Sequence, residues 1–228
     1  MPSIRETLAK TKVITFDCYG TLIDWWVGLR KSFQSIFASA DTQQIDELVD
    51  AYVDTEADIE GQVYRPYRDV VTEAVERLAQ RFNLAIPSGK AKLLAQMLPH
   101  WTPFPDTNEA LKRLKERFQL GVLSNIDRDL FAETTKHFEV TFDFVITAQD
   151  VQSYKPAMGH FERLIDQHAS PDIVLHVAQS LYHDGVPTGK LGIPYVWINR
   201  YDGTNDLSVV PLALYPDLKS LADAACSD

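Results

Sequence analysis

Apolar residues recur along this chain in two rhythms. Val13–Phe16 is a short, β-branched apolar run that stops abruptly at Asp17. Such a run predicts a strand buried on both faces. Four later runs share its character: Leu120–Leu123, Phe142–Ile146, Ile173–Val177 and Tyr195–Ile198. Between them the apolar positions change to helical spacing. Asn108–Phe118 carries Leu111, Leu114 and Phe118 on one face, Asp129–Phe138 and Met158–His168 repeat the arrangement, and Leu218–Ala225 predicts a terminal helix. Strands alternating with helices through short connections predict an α/β fold on a parallel sheet.

The stretch from about Asp24 to Trp101 breaks the alternation. It has no buried-strand run, and its apolar residues fall at helical intervals: Leu29, Phe33, Ile36 and Phe37, then Leu48, Tyr52 and Ile59, then Val70, Val71, Ala74 and Leu78. Residues 24–101 therefore read as a helical cap inserted into a core made of residues 1–23 and 102–228. Pro103 and Pro105 punctuate the return to the sheet.

Length changes little in this picture, since 228 residues accommodate a core domain with a smaller insert. Charge narrows the partners. A net charge of -10, without a long acidic run, argues against nucleic acid or an anionic membrane surface. Two cysteines, Cys18 and Cys226, supply neither a disulfide framework nor a metal knuckle, which points to a reducing cytoplasm. The N-terminal residues hold no apolar stretch of signal-peptide length, and no run approaches the roughly 18 apolar residues of a membrane span. A homodimer through the cap or a helix face is compatible with the sequence, but no feature of it establishes one.

Ligands of open parallel sheets bind beyond the carboxyl ends of the strands. Four polar clusters stand at or just beyond such ends: Asp17-Cys18-Tyr19-Gly20-Thr21, Ser124-Asn125, Lys155-Pro156, and Gln179-Ser180 with Asp184 beyond. A fixed, desolvated carboxylate is a competent covalent nucleophile, and a nearby lysine keeps it ionised. A Ser-Asn pair offers hydroxyl, amide and backbone N–H groups to an anion. Taken singly, each cluster reads as a helix cap, a turn or a surface loop. Four together, in this order, favour a shared crevice.

These residues also carry a resemblance. Phe-Asp17-x-Tyr19-Gly20-Thr21-Leu22, Leu123-Ser124-Asn125, Tyr154-Lys155-Pro156 and Val177-x-x-Ser180-x-x-x-Asp184 resemble the four motifs of the haloacid dehalogenase superfamily. The resemblance runs from Val13 to about Arg200. It implies a Rossmann-like core with a helical cap inserted after the first motif. Two positions after the nucleophile, superfamily phosphatases carry an acidic residue; this chain has Tyr19, as in the type II, L-specific 2-haloacid dehalogenases. Those phosphatases also hold magnesium with an acid where this chain has the neutral Gln179. The implied chemistry is metal-independent and needs no cofactor. Asp17 displaces a leaving group from the carbon alpha to a small carboxylate, and water hydrolyses the aspartyl ester.

The same resemblance implies roles. Lys155 keeps Asp17 anionic, and Asp184 orients Lys155 or activates water. Ser124 and Asn125 hold the substrate carboxylate, with Tyr19 and Ser180 as further contacts. Apart from the resemblance, Trp25 with Trp26 reads as an aromatic wall over the substrate or as packing at the core–cap hinge, and Arg68 with Arg65 as an anion contact or as part of a solvated face. Three departures accompany the resemblance. Leu48 stands near the place of the family's halide-receiving arginine, Phe161 replaces an aromatic hydroxyl, and Leu181 replaces the asparagine that steers water. Other readings remain open: opening of a strained ring acid, a phosphatase tolerating Tyr19 and Gln179, or a catalytically impaired binding homologue. His183 is expected as a group titrating near neutrality or as an exposed helix-start residue, and Cys18 as buried and inert.

Overall fold

The structure is a computed structural model that describes residues 3–226. In chain order its elements begin with α1 (Ile4–Leu8), β1 (Val13–Phe16), α2 (Trp25–Ile36), α3 (Thr42–Glu60), α4 (Tyr67–Arg81) and α5 (Leu93–Met97). There follow α6 (Thr107–Lys115), β2 (Gln119–Ser124), α7 (Arg128–Thr134), β3 (Phe144–Thr147), α8 (Ala148–Val151) and α9 (Gly159–Gln167). The chain closes with β4 (Val174–Ala178), α10 (Val186–Leu191), β5 (Tyr195–Ile198), β6 (Ala213–Tyr215) and α11 (Leu218–Cys226). It divides into two compact units. One holds the residues up to Ile23, Pro103–Asn125, and those from His137 onward; the other holds Asp24–Thr102 and Ile126–Lys136.

The first unit is an α/β layer structure around a six-stranded sheet of order β3-β2-β1-β4-β5-β6. Every strand pair is parallel. β1 and β4 are buried along their whole length, as their uninterrupted apolar character requires. The order reverses direction between β1 and β4, so the residues after these strands open onto a topological switch point. β6 has no counterpart among the strands that the apolar runs predict. It has only three residues and leaves Leu214 exposed, so no buried run announces it.

β2 approaches β3 closely at Gly121, which pairs with Phe144. A Cβ built on Gly121 would lie 2.3 Å from the Phe144 ring, itself stacked at 4.0 Å on His168. Gly121→Ala is therefore expected to lower stability by about 1–3 kcal/mol, the usual cost of overpacking. The urea midpoint measures it, and an unchanged midpoint would show that the ring moves aside freely.

The second unit is helical, α2–α5 joined by α7. Its apolar faces are those the spacing predicts: Leu29, Phe33, Leu48, Tyr52, Val70, Val71 and Leu78 are all buried. α3 starts at a capping box in which Asp41 and Gln44 exchange hydrogen bonds. α4 starts after Pro66, which has no side chain with which to cap. Buried Asp127 does this from afar, its Oδ1 accepting from the Tyr67 amide at 2.8 Å and its Oδ2 from the Arg68 amide at 3.0 Å. A carboxylate on otherwise orphan N-terminal amides is favourable, and it ties residues 126–136 to this unit.

Candidate active site

β1 is apolar to Phe16 and delivers Asp17 at its end, where the Asp17 amide donates to the Val177 carbonyl of β4 at 3.1 Å. The chain then turns back tightly. The Cys18 carbonyl accepts from the amides of Leu22 at 2.7 Å and Ile23 at 3.0 Å, and Gly20 adopts φ +92°, a left-handed conformation that favours glycine. The turn brings the Thr21 hydroxyl onto Asp17 Oδ2 at 2.9 Å. Thr21 Oγ1 in turn accepts from the Gln179 amide at 2.9 Å. Gln179 is fixed by β5, for the Trp197 indole N–H donates to its carbonyl at 2.8 Å. From the far side, Arg200 Nε donates to the Thr21 carbonyl at 3.0 Å while its guanidinium pairs with Asp106 and lies over the Phe104 ring.

Lys155 reaches this turn from the loop after α8. Its ammonium is buried and all three protons have acceptors: Asp17 Oδ1 at 2.9 Å, Asp184 Oδ1 at 2.7 Å and the Leu123 carbonyl at 2.8 Å. Asp184 sits in a π-helical turn, Leu181–Gly185, that begins at Ser180. Its Oδ1 also meets His176 Nε2 at 2.9 Å, while its buried Oδ2 has no partner among the described residues. Ser124, at the end of β2, likewise has a buried hydroxyl without a partner there.

One ammonium between two carboxylates leaves the cluster with an excess negative charge, which decides where a proton adds first. Burial pushes the Asp17 carboxyl above the ordinary aspartate range; Lys155 pulls it down and Asp184 pushes it up again. Burial would raise Asp184 too, but Lys155 and His176 hold it well below the usual range. For Lys155 burial disfavours the ammonium, and the two carboxylates outweigh it, keeping the group charged. Asp17 is thus the member that titrates, and Asp184 stays anionic.

The structure brings Asp17, Lys155 and Asp184 together as the sequence groups them, and places Ser124 and Tyr19 on the same unit. Two expected substrate contacts have other work. Asn125 clasps the Lys155 backbone, its Oδ1 accepting from the Lys155 amide at 2.7 Å and its Nδ2 donating to the carbonyl at 3.1 Å. Ser180 caps the π-helical turn, its hydroxyl accepting from the His183 amide at 3.0 Å. His183 does not titrate near neutrality, for burial pushes it down to about 4. Cys18 is fully buried, and burial raises its thiol well above the usual range.

Trp25 and Arg68 belong to the helical unit. There Trp25 lies 6.1 Å from the Tyr52 ring, and Arg68 pairs with Asp127 at 3.2 Å and Asp129 at 2.6 Å, a tie within that unit rather than a free anion contact. Arg65 pairs with Glu73. Leu48 is core, and Phe161 packs edge-on against His176 at 5.1 Å. Sequence reasoning placed Thr21 in the first cluster without giving it a role, and left out His176 and the part that Arg200 plays. A lone polar residue inside an apolar strand, as at His176, is the signal that could have pointed to one of them.

The family model of haloacid dehalogenase-like hydrolases matches residues 14–184. The chain belongs to this family. Among its relatives is the (S)-2-haloacid dehalogenase H-109 of Pseudomonas putida, 26% identical over 165 residues that cover 70% of this chain and 73% of that one. The fold is shared with a crystal structure of an L-2-haloacid dehalogenase, with a TM-score of 0.82, 23% identity, and coverage of 96% of this chain and 100% of that one. It is also shared with the L-2-haloacid dehalogenase of Xanthobacter autotrophicus with chloropropionic acid covalently bound (TM-score 0.81, 17% identity, covering 93% and 97%). As a family member the chain is a hydrolase related to the 2-haloacid dehalogenases. Among the described residues, no helix is long and apolar enough to cross a membrane.

Proposed function

We propose that this hydrolase acts without a metal on a small carboxylate, with Asp17 displacing a leaving group, halide or another, from the carbon alpha to the carboxyl group. The observation that carries the proposal is the Lys155 ammonium, 2.9 Å from Asp17 and 2.7 Å from Asp184. It sits between the two carboxylates where a divalent cation would otherwise balance their charge. Where a magnesium site would call for a further acidic oxygen, the chain carries the neutral Gln179, which argues against a magnesium ion in this set.

In the first step Asp17 Oδ attacks the alpha carbon, and the bond to the leaving group breaks with its electron pair. Thr21 and Lys155 fix the carboxylate for in-line approach. The Ser124 hydroxyl supplies a donor for the substrate's carboxylate, and Tyr19 a further contact. In the second step water adds to the Asp17 carbonyl carbon of the ester and gives its proton to Asp184, and the hydroxy acid departs.

The test is a single turnover of racemic 2-chloropropionate in oxygen-18 water, followed by mass analysis of the peptide containing Asp17. One labelled oxygen in the Asp17 carboxylate is the expected result. Label found only in the product would mean direct attack by water on the alpha carbon. Turnover of small phosphate esters that starts only on adding magnesium would overturn the metal-free reading.

A further inference from the structure

His176 lies in β4 opposite Thr15 of β1, and both are fully buried. Strand interiors seldom carry an imidazole, and burying one without partners is costly. This one is anchored at both ends. Nδ1 is 2.8 Å from Thr15 Oγ1 and Nε2 is 2.9 Å from Asp184 Oδ1. Because a carboxylate only accepts, Nε2 carries a proton toward Asp184, and in the neutral ring Nδ1 accepts from the Thr15 hydroxyl. Phe161 edge-on at 5.1 Å and Tyr195 stacked at 6.3 Å hold the ring plane.

The consequence falls on Asp184. Its Oδ1 is taken up by two donors, Lys155 and His176, so the carboxylate cannot rotate without breaking both. Oδ2 is left buried and partnerless among the described residues. We propose that His176 is a positioning residue, which pins Asp184 through Oδ1 so that Oδ2 is the oxygen presented to the hydrolytic water. The inference rests on the aspartyl-ester reading above. It assigns His176 to the second step: a bond forms between the water oxygen and Asp17 Cγ, the water's proton passes to Asp184 Oδ2, and the Cγ–O bond to the product breaks as the product oxygen takes that proton back. The first step needs Asp17 ionised and held by Thr21 and Lys155, none of which His176 touches.

Three variants separate positioning from mere packing. His176→Gln keeps a donor at the Nε2 position, His176→Asn keeps only a group near Thr15, and His176→Phe keeps neither. With 2-chloropropionate, His176→Phe and His176→Asn are expected to slow ester hydrolysis about 10- to 100-fold, the range for orienting partners, while ester formation is nearly unchanged. The ester on Asp17 then accumulates and is seen by intact-protein mass. His176→Gln should restore hydrolysis. A second readout needs no substrate: carbon-13 NMR of the aspartate carboxyls should show Asp184 titrating at higher pH in the Phe and Asn variants and returning in the Gln variant. An equal loss in both steps, or a Gln variant as impaired as the Phe variant in both readouts, overturns the proposal. If the wild type leaves 2-chloropropionate untouched, the substrate reading fails, and the NMR titration still decides whether His176 governs Asp184.

Discussion

Asp17→Asn is expected to abolish turnover, by roughly 10⁶-fold as for removal of other covalent nucleophiles, while the variant melts at the same temperature as the wild type or higher at pH 7. The two halves of this result have one cause. The introduced asparagine retains the shape and can still accept from Lys155, but its amide oxygen is no nucleophile toward carbon. The stability half follows from linkage. Burial raises the Asp17 carboxyl above its unfolded value. The stability such a group contributes is fully present below the unfolded value and is lost as pH rises through the folded one, so at pH 7 the ionised Asp17 opposes folding. The amide removes that opposition and leaves Lys155 and Asp184 as a neutral buried pair. Calorimetry at pH 7 beside a progress curve on 2-chloropropionate checks both halves. A melting temperature several degrees lower would mean that the Asp17 carboxylate holds the turn together rather than being tolerated for its chemistry.

What the sequence reveals of this site, and what it conceals, divides along distance in the chain. Asp17, Ser124 and Asp184 are legible because each follows a buried apolar run, and strand ends of a parallel sheet share one edge. The helical unit is legible in the same way, through the period of Phe33, Leu48, Tyr52 and Val71. The partners of those residues are not. Lys155 Nζ binds a carboxylate 138 positions away, and nothing in the pattern around Tyr154-Lys155-Pro156 tells a buried ammonium from a surface one. Asn125 and Ser180 look like ligand-binding groups because amide and hydroxyl are suited to anions, yet the same groups serve equally to clasp a backbone and to cap a turn. Asp127 caps a helix that starts 60 residues earlier, which no local rule of capping anticipates. β6 escapes notice because three half-exposed residues carry no period. Residue chemistry is thus readable where one strand end dictates it, and ambiguous where a polar group has both a structural and a catalytic use.

Lys155→Met tests the other half of the charge balance, and its expected effects run the opposite way on stability. Methionine fills much of the same volume but leaves Asp17 and Asp184 buried beside each other without a cation, and leaves the Leu123 carbonyl without its donor. Removing one partner of a buried ion cluster costs about 3–5 kcal/mol, which chemical denaturation reads directly. Activity at pH 7 should fall by on the order of 10³-fold, because the nucleophile loses the charge that opposes its protonation. The ammonium is the strongest influence drawing Asp17 down, so without it Asp17 titrates higher still. Residual activity should then rise with pH over a range displaced upward from that of the wild type. The double variant Asp17→Asn with Lys155→Met decides between charge and packing. It leaves Asp184 as the only charge of the three, with His176 still donating to it, so it should be more stable than the sum of the two single effects gives, and recover none of the activity. A stability equal to that sum would instead locate the effect of Lys155 in its contacts to the backbone, and the buried ammonium would then be a strut first and a counter-charge second.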